Sequence, residues 1–308
     1  MAYLLELVGR LSEGCGRQTE QQRENWAQAV KGFQTNDGGF RGRSDESDIY
    51  YTAFAVRTLA IIDGLDDVTA ERIRKYLESL LQTQTTLIDL VSLLFSASTL
   101  DAVTGGDLFQ MARDDWAERF VDELERHRCD DGGYARTPKG AAGSTYQTFL
   151  NLLCFELLDS PVPEPERIVA FLLSQEAEGG GFLEIRAAKR AGTNPTAAAI
   201  GSLQILGSLS EEIRDRARPF FHTLISDEGG FRAHTRIPIA DLLSTFTGLW
   251  TLDRLGETES INVPEIGRFV ESLEVPGGYL GAILDEQADV EYLFYGVGTI
   301  ALLALIGA

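Results

Sequence analysis

Asp37-Gly38-Gly39-Phe40, Asp131-Gly132-Gly133-Tyr134, Gly179-Gly180-Gly181-Phe182, Glu228-Gly229-Gly230-Phe231 and Pro276-Gly277-Gly278-Tyr279 are five versions of one phrase. The glycine before each aromatic falls at 39, 133, 181, 230 and 278, giving steps of 94, 48, 49 and 48 residues. The first step is two periods long. A sixth copy, stripped of its glycines, is therefore expected at Gln82-Thr83-Gln84-Thr85-Thr86. A fixed period of this size is the mark of a repeat architecture.

Each phrase lies between two stretches with helical patterning. Those upstream, such as Trp116 to Arg126, set apolar Phe120, Val121 and Leu124 among Glu118, Asp122 and Glu125, so one face is buried and the other wet. Those downstream, such as Tyr146 to Leu158 and Glu291 to Ile306, are apolar nearly all round and are expected to be buried on every side. Six amphipathic outer helices and six apolar inner ones predict an all-α fold, an (α/α)6 toroid. Gly-Gly supplies the backbone freedom to stop one helix and turn into the next. The period runs from about residue 26 without a linker. The expected organisation is an N-terminal helical extension over 1–25 and a single toroid over 26–308.

Composition narrows the function. A net charge of −20 argues against generic nucleic-acid binding. Three cysteines, Cys15, Cys129 and Cys154, with no C-x-x-C pair, give no disulfide framework and fit a reducing, cytoplasmic setting. The N-terminal residues lack a basic signal-peptide region, and the apolar C-terminal segment is explained as the sixth inner helix, so no membrane span is expected.

Against this acidic background the short segments after the glycines are basic. They hold nine of the 27 Lys and Arg residues: Arg41, Arg43, Arg136, Lys139, Arg186, Lys189, Arg190, Arg232 and Arg236. Repeat geometry places equivalent loops on one rim, where the N-termini of the inner helices add N–H donors and partial positive charge. A greasy interior with a basic mouth suits an amphiphile with an anionic head, such as an isoprenyl diphosphate. The expected head-group contacts are Arg186, Lys189, Arg190, Arg232, His234 and Arg236, and the expected tail contacts are Tyr50, Tyr51, Tyr146, Trp250 and Tyr292.

The repeat resembles known families. Gln34-Thr35-Asn36-Asp37-Gly38-Gly39-Phe40 is similar to the prenyltransferase repeat and to the Q-x-x-x-G-x-W motif of squalene-cyclase-type terpene cyclases. The C-terminal third looks closest to protein prenyltransferase β subunits, particularly the Rab geranylgeranyl type. There an Asp, a Cys and a His in P-D-x-C-Y and D-x-x-H-T hold a catalytic zinc. In the matching stretches here, Ala240-Asp241-Leu242-Leu243-Ser244 and Asp289-Val290-Glu291-Tyr292-Leu293, Asp241 is kept, Leu243 replaces the Cys and Tyr292 the His. The resemblance therefore implies an isoprenoid-binding prenyltransferase-like protein with a degenerate zinc site, no metal ligand set, and magnesium as a possible cofactor. Asp241, with Asp289 or Glu291, becomes the candidate general base. It also implies a possible helical, α-subunit-like partner. Two other readings are a silent toroid serving as a protein-binding scaffold and a non-standard terpene cyclase. The cyclase reading needs an acid that no D-x-D-D string supplies.

Overall fold

A computed structural model describes residues 3–81, 87–108, 115–138 and 140–307. The degenerate repeat at 82–86 and Lys139 lie outside the described residues. Among those described, thirteen α-helices are joined by short loops, and the only named strands are β1 (Glu274–Val275) and β2 (Gly278–Tyr279), an antiparallel hairpin. After α1 (Tyr3–Gly16), amphipathic helices α2 (Glu20–Lys31), α4 (Asp67–Leu80), α6 (Trp116–Glu125), α8 (Pro165–Ser174), α10 (Glu211–His222) and α12 (Val263–Ser272) alternate with an apolar series. That series is α3 (Ile49–Ile61), α5 (Leu87–Thr104), α7 (Thr145–Leu157), α9 (Thr193–Ile205), α11 (Leu242–Arg254) and α13 (Val290–Ile306). The expected alternation is present. The first amphipathic helix starts at Glu20, earlier than Trp26, because Thr19 caps it by accepting from the Gln22 N–H.

The chain divides into two compact units. In one, residues 3–6 and 117–269, α9 packs on α7, α11 and α8, and α10 on α11. In the other, residues 7–116 and 270–307, α3 packs on α2, α5 and α13, and α4 on α5.

One hydrogen-bonded arrangement recurs in four repeats. The phrase aromatic is fully buried: Phe40, Tyr134, Phe182 and Phe231 are each 0% exposed. Its N–H donates to a threonine hydroxyl in the first turn of the following apolar helix: Phe40 to Thr52 (2.9 Å), Tyr134 to Thr148 (3.0 Å), Phe182 to Thr196 (2.9 Å) and Phe231 to Thr245 (3.0 Å). Each hydroxyl in turn donates to the carbonyl of the residue capping its own helix, Asp48, Ser144, Gly192 or Asp241. The N–H of that capping residue closes the ring by donating to the aromatic carbonyl. Both backbone groups of a buried residue are thereby satisfied, and the helix start is fixed to the turn. In the last repeat Leu293 occupies the corresponding position after Tyr279, and the β1–β2 hairpin takes over.

The paired glycines serve two separate purposes, as Gly132-Gly133 shows. Gly132 has φ +95°, in the region that favours glycine. Gly133 has an ordinary backbone, but a Cβ there would stand 2.6 Å from the ring of Phe171. Asp131 then ties the loop down by accepting from the N–H groups of Gly133 (3.1 Å) and Gly143 (2.9 Å). At the other end of the chain, a Cβ on Gly14 would collide with the backbone of Ala301, so Gly14 is what lets α1 lie against α13. Gly14-Cys15-Gly16 is a packing feature, and burial pushes the Cys15 thiol up to about 12.

Thr245→Val keeps the shape and removes the hydroxyl, leaving the Phe231 N–H buried without a partner. The expected loss of stability is about 1–3 kcal/mol. Chemical denaturation should show it as a lower midpoint, whereas Thr247→Val, at a partly buried position outside this relay, should cost less.

Candidate functional site

The loops after the glycines carry the expected basic residues, but the structure divides them into two groups. Arg186 donates to the carbonyl of Ser174 at the end of α8. Arg232 donates to the carbonyls of Thr223 (2.7 Å) and Leu224 (3.4 Å) just past α10. The last carbonyls of a helix lack internal partners and carry partial negative charge, which an arginine satisfies. These two side chains satisfy helix ends. Lys189, Arg190 and Arg236 are exposed, and His234 is half-buried, its Nδ1 accepting from the Arg236 N–H. All four stand in the loops before α9 and α11. The α9 start differs from its counterparts: Asp48, Ser144, Asp241 and Asp289 cap α3, α7, α11 and α13 through side chains, while Gly192 offers α9 none.

In the same unit, Trp250 is engaged by the first turn of α1. Its indole N–H donates to the Tyr3 hydroxyl at 2.7 Å, and the Tyr3 ring stands edge-on to both Trp250 and Phe149. Arg254 lies over the Trp250 ring at 5.5 Å and pairs with Glu6, while Glu156 accepts from the N–H groups of Tyr3 (2.6 Å) and Leu4 (3.0 Å). The first turn of α1 therefore occupies Trp250, and the indole is 4% exposed. Tyr146 is the contrasting case, an aromatic on an apolar helix that remains 41% exposed.

Asp241 caps α11. One carboxylate oxygen accepts from the Ser244 N–H (2.7 Å) and the other from the Ser244 hydroxyl (2.8 Å). Leu243 offers no donor atom, so these residues do not fit the zinc centre of the family. Among the described residues no group of three or more His, Cys, Asp or Glu side chains is placed to hold a metal.

The other unit brings Tyr50, Tyr51 and Tyr292 together with Phe54, Phe294, Tyr295, Glu291 and Arg57. The Tyr50 hydroxyl donates to Glu291 Oε1 at 2.9 Å. Below this pair, the rings of Tyr50 and Phe54 (5.1 Å), Phe54 and Phe294 (5.7 Å), Phe54 and Tyr295 (5.5 Å), and Tyr292 and Tyr295 (6.3 Å) form a continuous aromatic layer from α3 and α13. Deeper along α3, Arg57 places its guanidinium over Phe54 (4.4 Å), Phe294 (4.9 Å) and Phe95 (5.6 Å). Arg57 is the only charged side chain inside α3, and a charge within an otherwise apolar helix was the signal that could have revealed it. At the helix start Arg43 clamps the loop before α13: it donates to Asp289 (2.9 Å) and Asp285 (3.3 Å) and lies over the Tyr292 ring at 5.7 Å.

Burial raises the Glu291 carboxyl from the usual 4.5 to about 7; the Tyr50 hydrogen bond opposes the rise, Asp289 adds to it, and Arg57 and Arg43 oppose it. A native state that holds this proton longer than the unfolded chain binds more protons between about pH 4.5 and 7, so this group makes stability fall as pH rises through that window. Glu291→Gln removes the titration. The melting temperature of the variant relative to the parent should climb from about pH 5 to about pH 8 and then level off.

The chain is similar in structure to several solved proteins. Protein geranylgeranyltransferase-I from Candida albicans, complexed with GGPP, has a TM-score of 0.65 at 13% identity, covering 96% of this chain and 91% of that one. A variant of the type II terpene cyclase MstE from Scytonema, in complex with its substrate geranylgeranyl dihydroxybenzoate, gives 0.63 at 13%, covering 98% and 99%. An α-1,6-mannanase from Salegentibacter gives 0.62 at 14%, covering 92% and 98%. At these identities the likeness is one of fold alone, and a carbohydrate enzyme among the three shows how far function varies upon it. No curated protein matches the sequence. The model of the prenyltransferase α/α toroid domain matches residues 3–184 and 196–307. The chain belongs to the prenyltransferase α/α toroid domain family, the all-α class that the 48-residue period predicts.

Proposed function

We propose that this protein binds an isoprenyl diphosphate. The observation that carries this reading is the start of α9. It is an apolar helix without a side-chain cap, and its neighbouring loops bring Lys189, Arg190, His234 and Arg236 while two other arginines are consumed as helix caps. The helix dipole and nearby cations together suit a diphosphate. In the same unit, the exposed ring of Tyr146 suits an unsaturated hydrocarbon chain. The geranylgeranyl ligands bound by two of the structural neighbours agree with this class of compound.

The chemistry proposed is prenyl transfer without the zinc centre of the family, since Leu243 cannot ligate and Asp241 is committed to Ser244. The Rab-type resemblance thus supports the class of ligand and says little about a Rab acceptor. No helix among the described residues is long and apolar enough to cross a membrane.

Native mass spectrometry of the purified protein with geranylgeranyl diphosphate tests the proposal. A 1:1 adduct is expected, weakened at least about tenfold when Lys189, Arg190 and Arg236 are replaced by Gln, and weakened by added salt. Arg186→Gln and Arg232→Gln should lower thermal stability with a smaller effect on the adduct. No adduct from a folded protein would leave the scaffold reading in its place.

A further inference from the structure

Within the unit of residues 3–6 and 117–269, the three apolar helices are not evenly buried along their lengths. In their first two turns Tyr146 is exposed, and Phe149 and Leu150 on α7, Ala197 on α9 and Leu243 on α11 are only half-buried. At this level the Thr247 hydroxyl donates to Asn194 Oδ1 at 2.6 Å, tying α11 to the start of α9. Apolar side chains in contact with water next to the α9 cations need a hydrocarbon to cover them. Further along each helix the exposure stops: residues 151–155, 198–203 and 248–252 are all buried.

Tyr3 stands where it stops. Its ring lies edge-on to Phe149 at 5.4 Å and to Trp250 at 6.1 Å. A Cβ on Gly201 would come within 3.2 Å of its ring and hydroxyl, so one side chain meets α7, α9 and α11 together. The turn that carries it is anchored from the far ends of two of those helices. Glu156 accepts from the Tyr3 and Leu4 N–H groups, and Glu6 pairs with Arg254. The ring is thereby held against sliding.

We propose that Tyr3 is the floor of the hydrocarbon site and limits the bound diphosphate to a chain of farnesyl length. This rests on the isoprenyl diphosphate reading above. Eight residues separate Thr193 from Gly201 and Leu242 from Trp250. That is about 12 Å along each helix axis, close to the span of three extended isoprene units and short of four. With the head at the α9 start, a farnesyl chain ends against Tyr3, whereas the last unit of a geranylgeranyl chain meets its ring.

The test is a competition between farnesyl and geranylgeranyl diphosphate for the full chain, read by native mass spectrometry. The parent should favour the farnesyl compound by about tenfold or more, the scale on which an apolar pocket discriminates by size. Tyr3→Ala should bring that ratio to one or reverse it, and Tyr3→Leu, which keeps more of the packing, should move it part of the way. Tyr3→Phe keeps the ring and should keep the ratio, although Trp250 loses its hydroxyl partner and the melting temperature falls. Equal binding of both compounds by the parent, or a preference for the longer one, would overturn the assignment and leave the ligand reading intact. A ratio that neither Tyr3→Ala nor Tyr3→Leu moves would do the same. Failure of the parent to bind either diphosphate would remove both.

Discussion

A buried aromatic residue in a tight turn brings into the interior two backbone groups that neither a helix nor a sheet satisfies. Four repeats solve this in one way: a threonine hydroxyl takes the aromatic N–H and passes its own proton to the capping carbonyl, and the capping N–H returns to the aromatic carbonyl. The rest follows from that ring. It sets where each apolar helix begins, which face meets the turn, and which loop is left outside to vary. Neighbouring repeats are joined by a related device, since the Thr145 and Thr193 N–H groups donate to Glu184 and Ala233 in the following loop. A frame held this way tolerates wide change in the loops, which is where the basic residues lie.

Most of the frame was legible in the chain. The period and the contrast between amphipathic and uniformly apolar helices gave the fold class, because both follow from which surfaces must be buried. The threonines at 52, 148, 196 and 245 were equally visible, yet their purpose emerges only when each hydroxyl is seen between two backbone groups. The site was less legible. Arg186 and Arg232 look like Lys189 and Arg190 in sequence, and only the nearby helix ends distinguish a cap from an open cation. Trp250 reads as cavity lining in sequence, whereas in the structure its indole N–H donates to the hydroxyl oxygen of Tyr3, almost 250 positions earlier. No local pattern encodes such a pairing.

The carboxylates show the same distinction between frame and chemistry. Asp48, Asp241 and Asp289 sit at helix starts, where their oxygens are spent on backbone and neighbouring groups. Glu291 stands two residues inside α13, faces the rings of α3, and is held by one tyrosine. Burial raises the Glu291 carboxyl to about 7, where it can both take and give a proton.

The central claim, that the uncapped start of α9 is where the anionic head binds, is tested most directly by hydrogen–deuterium exchange with and without geranylgeranyl diphosphate. The account predicts slowed exchange concentrated in residues 188–197, with little change at the side-chain-capped starts of α3 and α7. Protection spread evenly over the helices, or confined to another loop, would contradict it.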